Sequence, residues 1–396
     1  MIVMNSLTAA VALLAVFTLA ICFILIGSIS EEVKVVLRLD NSQVGTLAST
    51  LFLTCLAVQL FIGMGMLVDK WGHKAMAITG FLITSASIFG LAFAGSFSIS
   101  MIACALLGVG AMCVNTVGNT LIPIVLFGGK DPARASNFGN GFVGLAFVMT
   151  PLGLGYLMQH PAFGYRVALS MVAGLVLSFG LLAFLPRYPS VSTGYRLAQA
   201  VGLLRERPVW IAGLALLSYI ALESSFSTWI RPYITELSGG ADASGATRRA
   251  TWVLSGFGLA VALGRFATST IRNLSRIGAR LVAGLCVVTI AAIAVMVLTT
   301  SPALAATAVL IAGLALAPMF PTIVGVTFAQ YEPRLYGSIF GIIFAIGLLG
   351  PTVLLKLIGH FSVEAGVQRS LMLAGFMAVL LLVLSWMLHP KSKSQT

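Results

Sequence analysis

Apolar and polar positions alternate in blocks along the chain, giving twelve apolar runs separated by short polar punctuation. Each run is about 20 residues or longer, the length a helix needs to cross the hydrocarbon of a bilayer. The pattern predicts helices over 7–30, 41–66, 75–95, 98–127, 136–158 and 164–186 in the first half. In the second half it predicts 208–232, 250–271, 279–299, 302–329, 335–358 and 366–389. Residues 187–207 form the longest polar connection, with Pro189, Ser190, Ser192 and Thr193, and its tail over 195–204 is expected to lie on the membrane surface as a short amphipathic helix. The first run lacks a basic leader and is too long for a cleaved signal, so it reads as a retained span.

Composition excludes the soluble alternatives. Of 396 residues, 59% are hydrophobic and 9% charged, whereas a soluble domain carries about a quarter charged residues. The formal charge of +12 could suggest nucleic-acid binding, but the basic residues sit in short clusters between runs and not in one stripe. They record orientation: with both termini cytoplasmic, about fourteen basic residues fall on that face against about eight on the other. Cys22, Cys55, Cys104, Cys113 and Cys286 lie inside apolar runs without paired spacing, which argues against disulfides and zinc. His73, His160, His360 and His389 are isolated and offer no metal-ligand pair. Gly108-x-Gly110 lies in mid-span, where it reads as close helix packing and not as a nucleotide loop. No catalytic constellation is legible either, so the expectation is a carrier without cofactor, metal or enzymatic activity.

Two loops match at an offset of 206 residues, Asp69-Lys70-Trp71-Gly72-His73-Lys74 and Ser275-Arg276-Ile277-Gly278-Ala279-Arg280. The same offset places Gln59 opposite Arg265. Two six-span halves joined by a polar linker are what a parallel repeat about an axis along the membrane normal produces, with a solute site between the halves near the midplane.

The first of these loops, from Gly65 through Asp69, Lys70 and Gly72 to Lys74, resembles the signature between the second and third helices of the major facilitator superfamily, G-x-x-x-D-[RK]-x-G-x-[RK]-[RK]. His73 stands where that signature is usually basic. The resemblance implies an all-α membrane fold of two six-helix bundles, 1–186 and 208–396, with 187–207 as cytoplasmic linker. It also implies alternating access, with the signature loop as a cytoplasmic gate. Further stretches are similar to the fucose permease-like branch of sugar-proton symporters. These are Tyr219 to Glu223 with Trp229 and Tyr233 beyond, the pair Gly264-Arg265, and Gly313 to Thr322 with Pro318 and Pro321. The acid that the fucose permease would present near Cys113 is missing, and no matching acid lies in the middle of the first span, so fucose and its proton coupling do not carry over. The fourth span also lacks the arginine common in drug exporters, and Thr150-Pro151-Leu152-Gly153 only half matches their fifth helix.

Glu223 is the acid set well inside a predicted span, about fifteen residues or roughly 22 Å from the start of the seventh helix. An ionised carboxylate there must be paired, protonated or bound to solute, which makes Glu223 the candidate for proton coupling. Tyr219 shares its face one turn earlier. Arg265 lies too deep to reach the interface and can either pair with Glu223 or hold an anionic solute with its fork of donors. Asn115 and Asn119, one turn apart on the fourth span, can bind the hydroxyls of a sugar-like solute or join helices. Gln59, Asn140 and Trp229 complete the candidate cavity, the indole as a platform for a sugar ring. Glu31 and Glu32 read as a hydrated helix end. Pro318 and Pro321 are expected to kink the tenth helix and serve as a hinge. The expected partners are a small solute, a proton and the bilayer, with no nucleic acid, and the chain is expected to work as a monomer in a plasma or bacterial inner membrane.

Overall fold

The computed structural model describes residues 2–61, 64–129, 132–160, 162–189, 202–239, 243–269, 274–332 and 335–388. Side chains are described for all of these but 2–5, 61, 64–69, 128–129, 132–134, 136–137, 243–244, 269 and 274–276. The regular structure is helical throughout, as hydrocarbon requires when no water is present to satisfy a backbone N–H or C=O. In the first half α1 spans Ile2–Ser28, α2 Ser30–Leu37, α3 Asn41–Phe61, α4 Met64–Ala92, α5 Phe97–Val125, α6 Pro132–Gln159 and α7 Gly164–Leu182. In the second half α8 spans Arg207–Leu237, α9 Ala243–Ser269, α10 Leu274–Leu298, α11 Pro302–Leu316, α12 Met319–Phe328, α13 Tyr336–Ser370 and α14 Met372–Met387. Together they supply 12 helices long and apolar enough to cross a membrane, with α11 and α12 forming one crossing and α2 none. The chain is a multi-pass membrane protein of two six-helix bundles.

Helix ends follow local chemistry. The Ser96 hydroxyl accepts from the Ile99 N–H to start α5, and Ser301 does the same for Leu304 ahead of Pro302 at the first turn of α11. Gly72 (φ 78°) and Gly366 (φ 80°) each end one helix and begin the next in a conformation that side chains rarely adopt. The tenth crossing breaks at Ala317 and Pro318, between α11 and α12, while Pro321 sits in the first turn of α12, where no hydrogen bond is lost. Two boundaries fall later than the sequence suggests. The eleventh crossing runs to Ala365, and α8 continues through Arg231 and Pro232 to Leu237. A polar Arg-Pro pair reads as a span end, but here the arginine is buried with partners and the helix has no reason to stop. Most of the 195–204 surface helix lies outside the described residues.

The face at which α1 begins is called the near face and the opposite one the far face. Between the halves, α3 runs against α13 and α6 against α9, while α1 meets α8 at the far end. Small residues set these approaches: Gly144 lies against Ala262, Gly155 against Thr251 and Gly45 against the Leu355 carbonyl and Gly359.

Candidate functional site

Halfway along the 31 residues of α8, Glu223 meets Arg265 of α9. Arg265 Nη2 donates to Glu223 Oε1 at 2.8 Å and to the Tyr219 hydroxyl at 3.2 Å. The Arg265 side chain is 7% exposed and that of Glu223 17%, so the carboxylate retains some access while the guanidinium is enclosed. Arg265 Nε is buried with no partner. The cluster sits midway along the crossing that α8 makes, where α9 passes tightly against α11. A Cβ on Gly264 would lie 2.6 Å from Ala317 Cβ, at the helix break. The break at Ala317 and Pro318 is therefore in contact with the helix that carries Arg265. Aromatic rings continue the site into the tenth and eleventh crossings. Tyr219 and Phe320 have ring centroids 5.9 Å apart, Phe320 and Phe340 meet edge to face at 6.4 Å, and Phe340 stacks on Phe344 at 5.3 Å.

The other sequence candidates separate into groups. Gln59 Nε2 donates to the Gly341 carbonyl of α13 at 3.3 Å, a contact between the halves one residue from Phe340. Asn119 Nδ2 donates to Asn115 Oδ1 at 2.7 Å and to its carbonyl at 3.0 Å, so the two amides form one local unit on α5, Asn115 buried and Asn119 exposed. Asn140 is half-buried on α6. Trp229 is fully buried near the far end of α8, and a Cβ added at Gly45 or Gly359 would meet its ring edge at 3.2 Å. The structure thus places this indole in a seam between α3, α8 and α13, six residues along α8 from Glu223. Its N–H has no partner.

At the near-face signature, Lys70 and Lys74 are exposed, Gly72 supplies the positive φ, Gly65 lies in the backbone of α4, and the side chain of Asp69 lies outside those described. His73 is 3% exposed with Nε2 3.0 Å from Thr120 Oγ1. Because the Thr120 hydroxyl donates to the Thr116 carbonyl at 2.6 Å, it is free to accept from a His73 Nε2–H. The histidine at the usually basic position therefore ties this loop to α5.

A second charge cluster escaped the sequence reading. Arg231 is fully buried at the far end of α8 and forks onto Glu32 of α2, Nη2 to Oε1 at 2.7 Å and Nη1 to Oε2 at 2.8 Å. Nη1 also donates to the Ser28 carbonyl at the end of α1. Glu31 pairs with Lys34 at 2.9 Å. Glu32 is thus half of a bidentate ion pair between the bundles and not a hydrated helix end. The signal was present: opposite charges at the far ends of the first and seventh spans, which a two-fold repeat brings together beside its axis. Gly27 lies directly against the Ser227 carbonyl at the same place, and the far face is closed there. Gly27→Val is expected to hold α1 and α8 apart. The midpoint of thermal unfolding should fall by a few degrees, the scale of about 1–3 kcal/mol of overpacking, while the protein still inserts and folds. A wild-type midpoint in this variant would show that α1 and α8 do not pack on this contact.

The twelve-crossing arrangement has solved counterparts. It is similar to a D-xylose-proton symporter, with a TM-score of 0.78, 13% identity and 98% of each chain covered. It is also similar to a bacterial homolog to the human lysosomal transporter Spinster in an inward-facing and occupied conformation, with a TM-score of 0.73, 16% identity, and 97% of this chain and 96% of that one covered. The same homolog in its unoccupied conformation gives 0.71 at 14% identity, with 97% of each chain covered. At such identities the likeness speaks for the fold alone. No curated protein matches the sequence. The Major Facilitator Superfamily model matches residues 9–247, more than half of the chain and reaching past the linker into the second bundle, and the chain belongs to that family of membrane transporters.

Proposed function

We propose that the chain is a secondary active transporter that carries a small polar solute of sugar-like character by alternating access, with Glu223 as the proton site. The observation that carries this reading is the Glu223, Arg265 and Tyr219 cluster at the middle of α8, in contact with a helix break. A buried ion pair is costly to form and more costly to leave half-made. Protonating Glu223 removes the negative charge and releases the Arg265 fork, so proton and solute together change which arrangement of α8, α9 and the broken α11 and α12 pair is lowest in energy. The D-xylose-proton symporter among the fold neighbours supports this reading, as do the amides of Gln59, Asn115, Asn119 and Asn140, which suit hydroxyl-bearing solutes. The bundles are assigned to 1–186 and 208–396 with 187–207 between them. The near face is assigned to the cytoplasm of a plasma or bacterial inner membrane, on the strength of its basic residues.

A second reading rests on one feature of the same cluster. The unpartnered Arg265 Nε, buried beside aromatic rings, offers a donor to an organic anion. One purified preparation separates the readings. Thermal unfolding is followed against a panel of sugars and organic acids, since a bound solute raises apparent stability. Hits are then tested in proteoliposomes carrying an internal pH indicator. Sugar-like hits whose uptake acidifies the lumen are the expected result. Uptake without a pH response ends proton coupling, anionic hits alone favour the second reading, and no flux of any solute favours a non-transporting sensor built on the fold.

A further inference from the structure

On the lipid side of the second bundle, α10 and α14 pair with each other. Towards the far face they are close: a Cβ on Gly375 would lie 3.6 Å from Ile293 Cγ2. Towards the near face a trough of about 360 Å³ is lined by Ala283, Gly284, Val287 and Leu382 together with Arg280 and Trp386. We propose that this trough seats an anionic phospholipid, its phosphate on Arg280 and the upper part of an acyl chain over Gly284 and Val287.

The spacing makes the trough. Positions 280, 283, 284 and 287 share one face of α10, and 382 and 386 share one face of α14. A Cβ at Gly284 would meet nothing within 4 Å, so no close helix contact fills the trough at that position. The Ser385 hydroxyl in its wall donates to the Leu382 carbonyl at 2.6 Å, leaving the floor apolar. From Arg280 to Val287 is seven residues, about 10 Å along the helix axis, which runs from headgroup level into the hydrocarbon. Trp386 is 68% exposed, where an amphipathic ring marks the interface. Arg280 is exposed, and among the described residues it has no hydrogen-bond or ion-pair partner. A cation at the mouth of an apolar groove between crossing helices fits a lipid of net negative charge and has nothing to offer a zwitterionic one beyond the groove itself. The place of the trough on the lipid side of two helices long and apolar enough to cross a membrane selects a lipid over a soluble peptide.

The full chain is placed in nanodiscs of phosphatidylcholine, and phosphatidylglycerol brominated on its acyl chains is titrated in, with brominated phosphatidylcholine as the control. Bromine quenches nearby indoles, and the difference between the wild type and Trp386→Phe isolates Trp386. Half-maximal quenching of this component is expected at about a fivefold lower mole fraction of the anionic lipid, the order expected for one basic residue at an anionic surface. Arg280→Ala should remove that preference. Equal quenching by both lipids, or an undiminished preference in Arg280→Ala, would overturn the assignment. So would loss of quenching by both lipids as the protein concentration rises, because the trough would then belong to a contact between two copies of the chain.

Discussion

Glu223→Gln is expected to abolish accumulation of solute driven by an imposed pH gradient while leaving equilibrium exchange of the same solute largely intact. Glutamine keeps the volume of the side chain and an oxygen that can accept from Arg265, but it cannot take up or release a proton. It reproduces the protonated carboxyl, a state that a proton-coupled cycle visits. The loss of pH-driven accumulation should be about tenfold or more, the scale of a coupling free energy of 1–3 kcal/mol between two sites. Arg265→Met separates coupling from folding. It leaves the Glu223 carboxylate at mid-membrane without its partner, and breaking a buried pair from one side costs about 3–5 kcal/mol. The midpoint of thermal unfolding should therefore fall sharply in Arg265→Met and recover in the Glu223→Gln, Arg265→Met double variant. pH-driven accumulation that survives Glu223→Gln, measured with the gradient imposed in both directions, would remove Glu223 from the coupling role.

The fold was written in the apolar runs because the bilayer leaves so few choices. A segment of about 20 apolar residues in hydrocarbon must close its hydrogen bonds upon itself. Most of the twelve crossings accordingly begin and end near where punctuation places them, and the overrun of α8 has a specific cause. α8 runs past Arg231, since a charge that finds a bidentate partner on another helix no longer marks the membrane surface. The pairing of Glu223 with Arg265 was legible, because two opposite charges too deep to reach water must find each other. The fate of Trp229 was not. The indole lies six residues beyond Glu223, which is not a helical-neighbour spacing. Its burial is decided by Gly45 and Gly359 on helices far away in sequence. Polar residues also mislead when the backbone consumes their donors: Thr50, Thr54 and Thr116 each donate to the carbonyl four residues earlier, so a hydroxyl in a span is weak evidence for a solute site.

The largest effect on conformation should come from Arg231. With α1 and α8 meeting at the far end, the fork onto Glu32 and the bond to the Ser28 carbonyl are contacts that must break whenever the far face opens. The α8 end that carries them is fastened to its own bundle. The Tyr233 hydroxyl donates to the Met296 carbonyl at 2.7 Å, and Glu236 Oε2 accepts from the Val367 N–H at 2.7 Å. Opening of the far face is therefore expected to part the bundles at the Arg231 fork and not to peel α8 from its neighbours. Arg231→Met should shift the chain towards an open far face by a factor of about a hundred, if the lost pair is worth about 3 kcal/mol. The readout is labelling of Ser227→Cys by a membrane-impermeant thiol reagent. Ser227 is 2% exposed, and the five native thiols are buried. Labelling should be slow with Arg231 present and fast in Arg231→Met. Glu32→Gln should give an intermediate rate, because the bond to the Ser28 carbonyl remains. Exchanging the charges, Glu32→Arg with Arg231→Glu, should recover only part of the protection, since a carboxylate cannot donate to that carbonyl. Equal labelling in all four backgrounds would mean that the pair forms without holding the face shut. Full protection in the exchanged variant would assign the latch to charge alone and not to the fork that reaches both Glu32 and Ser28.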